Sequence, residues 1–194
     1  MYISDKYQIQ WWVPPRTASR MTRKFLEKLN FRGEWGHHTV YGDSTFDVYL
    51  NIRNPYSIVV SLFFLSRQAE GLTFEQFVKK SKADYLGFHN THLLDYVQAL
   101  KDRKLKLVKL IRVENLIDDM LSIDFIQNNQ ELLMDEIEEL NKGVGPWRRG
   151  YNPEVLKPYS EFYTQELADI VYQNRKKYFE FGGYDRDSWK TLIN

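Results

Sequence analysis

The chain has 194 residues, enough for one domain that buries most of its apolar surface without help from metals or cross-links. Hydrophobic residues at 43% and charged residues at 27% are the proportions of a folded protein, which argues against extended disorder. Cysteine is absent, which excludes disulfides, thiolate nucleophiles and sulfur-bound zinc, and a net charge of +1 gives no basis for general attraction to nucleic acid or membrane.

Charge is uneven along the chain. Residues 1–32 hold seven bases (Lys6, Arg16, Arg20, Arg23, Lys24, Lys28, Arg32) against two acids, whereas residues 114–139 hold nine acids and no base. The acidic block reads as the solvated face of helices. The opening MYISDKYQIQWWVPPR lacks the basic start and apolar run of a signal peptide, and no stretch approaches 18 uninterrupted apolar residues. The expectation is a soluble, cytoplasmic protein without membrane insertion.

Gln8 to Val13 predicts a strand, stopped by Pro14-Pro15 because proline cannot donate to a ladder. A helix follows from near Ser19, with Met21, Phe25, Leu26 and Leu29 on one face. Asp47 to Arg53 predicts a second strand, and Asn54-Pro55 then opens a helix over Tyr56 to Arg67 whose run IVVSLFF is apolar on several sides. Thr73 to Lys80 reads as a short helix capped by Thr73, with Glu75 or Gln76 near its start, and Leu93 to Leu100 as another. Lys106 to Val113 alternates as a third strand, followed by helices over Leu116 to Leu121 and Glu131 to Leu140. Asn141 to Pro158, with three glycines and three prolines, breaks periodicity and predicts an ordered loop or a lid. Gln165 to Phe181 predicts the last helix, its stripe formed by Leu167, Ile170, Val171, Tyr178 and Phe181 and its end by Gly182-Gly183. Strands alternating with helices over residues 1–194 predict a single α/β domain with a central parallel sheet flanked by helices.

Two segments point to anions. Pro14-Pro15-Arg16-Thr17-Ala18-Ser19-Arg20 lies between a strand and a helix, where backbone N–H groups and the helix dipole favour negative charge, and Arg16, Thr17 and Ser19 add side-chain donors. An ordinary capped turn would use the same residues. The segment is not a Walker A loop, whose glycines and lysine are missing. Arg53 at a strand end, with Ser61 eight positions later on the next helix, forms a second cation-hydroxyl pair.

Taken together, PPRTASR and RNPYSIVVS resemble the two signatures by which sulfotransferases bind 3'-phosphoadenosine 5'-phosphosulfate (PAPS), a P-[KR]-[ST]-G-[ST] loop and an R-[DN]-P-x5-S motif. The resemblance extends to RVENL (Arg112 to Leu116), similar to a strand-ending segment of the family, and to YTQELADIVYQNRKKYFEFGGY, similar to the closing helix of carbohydrate sulfotransferases. It implies a P-loop-like three-layer fold and metal-free, in-line transfer of a sulfuryl group from PAPS to a hydroxyl acceptor such as a carbohydrate. It implies that Pro15, Arg16, Thr17, Ala18, Ser19 and Arg20 hold the 5'-phosphosulfate and that Arg53 and Ser61 hold the 3'-phosphate. Ala18 departs from the family's glycine, so the loop must keep φ negative there or be reshaped. Arg16 is the natural stabiliser of charge on the leaving phosphate. His37 and His38 are the candidates for the base that takes the acceptor's proton, His38 preferred, with Asp43 and Glu34 in reserve. NKGVGPWRRGY is similar to the late glycine-rich segment over the nucleotide, which adds Lys142, Arg148 and Arg149 to the phosphate contacts and Trp147 as a stacking platform. His89 and His92 have no carboxylate or cysteine to complete a metal site. A nucleotide kinase and a non-catalytic nucleotide- or glycan-binding module are the competing readings.

Overall fold

The computed structural model of the chain describes residues 1–33, 45–65, 71–80, 96–142 and 157–192. The chain forms two compact units, each built from separate stretches: Met1–Ile52 with Asp95–Gly145, and Arg53–Leu94 with Pro146–Asn194.

The first unit is an α/β structure around a five-stranded sheet. Its strands are β1 (Tyr2–Ser4), β2 (Ile9–Trp12), β3 (Arg32–Gly33), β4 (Asp47–Ile52) and β5 (Leu107–Arg112), in spatial order β3-β1-β2-β4-β5. β2, β4 and β5 run parallel, with Trp12 opposite Leu50 and Ile52 opposite Arg112. The sheet is nevertheless mixed rather than parallel throughout, because β1 pairs antiparallel with both β2 and β3. The reason is chain length. Residues 5–8, with Gln8 at φ 56°, suffice for a hairpin and not for a crossover.

Both faces of β2 and β4 are buried, with side chains alternating between them, whereas β5 at the sheet edge buries Ile111 and exposes Val108. On one face Ile9, Trp11, Tyr49 and Ile111 join a core completed by α1 (Ser19–Lys28), α5 (Leu116–Leu121), α6 (Asp124–Gln127) and α7 (Gln130–Lys142). On the other, Trp12 packs against Tyr96 of α4 (residues 96–102), ring centroids 5.3 Å apart. α1 buries Met21, Phe25, Leu26 and Leu29, as its spacing predicts. It stops where Asn30 turns left-handed (φ 60°) and Phe31 N–H returns to the Leu26 carbonyl at 2.9 Å. Between α1 and α7, Lys28 Nζ lies 2.5 Å from the buried Glu136 carboxylate, and that hydrogen bond raises the Lys28 pKa.

The second unit holds α2 (Pro55–Leu65), α3 (Phe74–Lys80), α8 (Gln165–Gly182) and short 3-10 turns at Tyr159–Glu161 and Ser188–Lys190. Pro55 opens α2, where its missing N–H costs nothing. Thr73 and Gln76 form a reciprocal capping box at the start of α3, Gln76 N–H to Thr73 Oγ1 at 3.2 Å and Thr73 N–H to Gln76 Oε1 at 3.0 Å. α8 is capped by Thr164, whose side chain accepts from Leu167 N–H, and ends at Gly183 in the left-handed region (φ 65°).

The buried stripe of α8 differs from the expected one. It runs through Leu167, Ala168, Val171, Arg175, Tyr178, Phe179 and Gly182, leaving Ile170 and Phe181 half-buried. The helix departs from helical dihedrals at Arg175 (φ −124°, ψ 18°), and this charged residue occupies a core position. No described helix of either unit is long and apolar enough to cross a membrane.

Candidate functional site

In the first unit, the segment between β2 and α1 lies at the carboxyl end of the parallel strands, the end at which open α/β sheets bind ligands. Its backbone turns twice into the left-handed region, at Arg16 (φ 69°) and at Ala18 (φ 55°). An L-residue held there costs about 1–2 kcal/mol, so the surrounding structure has to enforce the turn. Two devices do so. Thr17 folds its hydroxyl back onto the Pro14 carbonyl at 2.6 Å, and its N–H reaches the same carbonyl at 3.4 Å. Asn51 of β4 then donates Nδ2–H to the Thr17 carbonyl at 2.8 Å and to Thr22 Oγ1 of α1 at 2.9 Å, while its Oδ1 accepts from the Trp11 indole at 2.6 Å.

Trp11, Thr17, Thr22 and Asn51 are all buried, so these bonds act away from competing water. Above this base the side chains divide. Pro15 and Arg20 are exposed and Arg16, Ala18 and Ser19 half-buried, whereas Thr17 points inward with its hydroxyl donating inside the loop. Thr17 therefore builds the loop. Ala18 also stands at the N-cap of α1 and makes no side-chain cap, and the positive end of the helix dipole there favours negative charge. Arg112 ends β5 at the same end of the sheet, its N–H held by Asp119 Oδ2 at 2.7 Å.

Arg53 and Ser61 belong to the second unit. Arg53 follows β4 directly; its N–H donates to the Tyr178 hydroxyl at 3.2 Å and its Nε–H to Ser57 Oγ at 2.5 Å. Ser57 and Ser61 are four residues apart on α2, hence on one helix face, and both are buried. The residues between Arg53 and Ser57 are fastened by C-terminal partners. Asn54 caps Tyr56 N–H through Oδ1 at 2.9 Å and donates to Ser188 Oγ at 2.8 Å; the Tyr56 hydroxyl donates to the Arg186 carbonyl at 2.6 Å, and Tyr163 donates to the Tyr56 carbonyl at 3.0 Å. Burial pushes the Tyr56 and Tyr163 phenols well above their ordinary pKa, so they remain hydrogen-bond donors at any working pH. Burial also lowers the Arg175 guanidinium to about 10, with Tyr178 and Tyr163 acting in the opposite direction, which still leaves it charged at neutral pH.

His37, His38, Asp43, Glu34, Trp147, Arg148, Arg149, His89 and His92 lie outside the described residues, and Lys142 is the last residue of α7. Among the described residues no three His, Cys, Asp or Glu side chains gather as for a metal ion. Sequence reasoning missed Asn51, Ser57 and Tyr159, whose hydroxyl donates to Ser57 Oγ at 2.6 Å. Asn51 did leave a signal, as the lone amide in an otherwise core-like strand, DVYLNI. Comparison of the chain with protein-family models, with curated proteins and with solved structures finds no match.

Proposed function

We propose that the protein is a PAPS-dependent sulfotransferase acting on a hydroxyl acceptor, a carbohydrate or a related small molecule, from a P-loop-like three-layer fold. The observation that carries this reading is the backbone at Ala18. The resemblance has glycine there, and glycine serves where the chain must turn left-handed; Ala18 takes that conformation (φ 55°, ψ 28°) despite its Cβ, so the substitution does not abolish the turn. Asn51 supports the turn from below through the Thr17 carbonyl.

On this reading Arg16, Ser19, Arg20 and the first-turn amides of α1 hold the 5'-phosphosulfate, with Thr17 shaping the loop, and Arg53 and Ser61 hold the 3'-phosphate. The acceptor oxygen attacks sulfur in line and forms the new S–O bond as the bond from sulfur to the bridging phosphate oxygen breaks, releasing 3',5'-adenosine bisphosphate. The acceptor's proton passes to a base, His38 or His37, and Arg16 stabilises the charge left on the departing phosphate. A further part of the proposal gives Lys142, Arg148 and Arg149 phosphate contacts.

Calorimetry with 3',5'-adenosine bisphosphate and with ATP tests the donor. The expected outcome is a preference of about tenfold or more for the bisphosphate, reduced at least about tenfold by Arg53→Ala. Equal binding of ATP, or an Arg53→Ala variant that binds like the parent, overturns the reading. Transfer of labelled sulfate from PAPS to a panel of acceptors separates an enzyme from a binding module.

A further inference from the structure

We propose, resting on the reading of Arg53 as the 3'-phosphate ligand, that Ser57 and Tyr159 are positioning residues: they orient the Arg53 guanidinium and so set how sharply the protein separates nucleotides with a 3'-phosphate from those without one. Arginine loses more rotamer freedom on ordering than almost any other side chain, so one already fixed in its working orientation binds an anion more tightly than one fixed only on contact. In the second unit the fixing is visible at both ends of the residue. The Arg53 N–H is held by the Tyr178 hydroxyl at 3.2 Å, and Nε–H is held by Ser57 Oγ at 2.5 Å.

The guanidinium is planar, so an anchored Nε sets the plane and the direction of the two terminal nitrogens. Ser57 is itself immobilised. Its oxygen accepts from the Tyr159 hydroxyl at 2.6 Å, and Ser57 and Tyr159 are 3% and 2% exposed, so the bond between them is shielded from water. Ser57 lies one helical turn before Ser61, which puts the anchor of the arginine and the second ligand of the proposed subsite on the same face of α2.

Two hydroxyls that merely staple the 3-10 turn to α2 would change stability and leave ligand discrimination alone. The test therefore measures both. Affinities for 3',5'-adenosine bisphosphate and for adenosine 5'-monophosphate are determined by calorimetry for the parent, Ser57→Ala, Tyr159→Phe, Arg53→Ala and the Arg53→Ala/Ser57→Ala pair, with thermal unfolding of each. The expected result is a loss in bisphosphate affinity of about tenfold for Ser57→Ala and about threefold for Tyr159→Phe, with the monophosphate unchanged and no further loss when Ser57→Ala is added to Arg53→Ala. Tyr159→Phe keeps the ring and decides the matter if Ser57→Ala does not fold. Should the parent prefer the bisphosphate while the variants keep that preference, or lose both ligands equally, the positioning role is wrong and the donor assignment stands. A parent without the preference removes the donor assignment itself, and the positioning role falls with it.

Discussion

The turn at residues 14–18 and the segment Arg53–Tyr56 each follow a strand of the parallel set, yet they are kept in shape by opposite means. The turn rests on two side chains close by in the first unit: Thr17 folds onto the Pro14 carbonyl, and Asn51 ties the Thr17 carbonyl, Thr22 and the Trp11 indole together. The Arg53 segment is held by four partners from far along the chain, Tyr163, Tyr178, Arg186 and Ser188, each contributing one bond in the second unit. The turn stores strain at Arg16 and Ala18 that its few restraints have to hold, whereas residues 53–56 have no left-handed backbone and share their load among several partners. The two should therefore fail differently when a single residue is changed.

Asn51→Leu is expected to have the largest effect. It keeps the number and branching of side-chain heavy atoms and leaves the Trp11 indole N–H and the Thr17 carbonyl buried without their partner, a loss of about 4 kcal/mol measurable by denaturant unfolding. Asn54→Ala attacks the distributed case. It removes the cap on Tyr56 N–H and the bond to Ser188 while the tyrosine bonds persist, so a loss of about 2 kcal/mol is expected by the same measurement. A loss as large as that of Asn51→Leu would show that the second anchor is concentrated too. Ala18→Gly sharpens the contrast from the other side: relieving the left-handed alanine is expected to stabilise the protein by about 1 kcal/mol, seen as a higher unfolding midpoint. A destabilised Ala18→Gly variant would mean that the turn is not strained.

These anchors also mark how far the sequence could be read. β4 and α2 were legible because β-branched and aromatic residues run up to an Asn-Pro stop, and α3 because Thr73 and Gln76 have capping-box spacing. β1 and β3 were not, since strands of three and two residues are too short to show an alternating period, and with them went the mixed direction of the sheet. The stripe of α8 was misplaced because the side that is buried carries Ala168, Arg175 and Gly182, which hydrophobicity does not assign to a core, whereas the apolar Ile170 and Phe181 flank it. The candidate loop was found by its residue types, whereas the roles within it were not separable: Thr17 and Ser19 look alike in sequence, and only the fold turns the Thr17 hydroxyl toward Pro14. Ser57 and Tyr159 meet across 102 positions, a pairing no local pattern encodes.

The Trp11 indole is fully buried and reaches the strained turn through a single intermediary, Asn51. An indole excited state responds to the field at its N–H, so a displacement of the turn that shifts the Asn51 amide would register in the emission of Trp11. The protein thus carries, beneath the segment where its chemistry is proposed to begin, an intrinsic fluorescent reporter that requires no label.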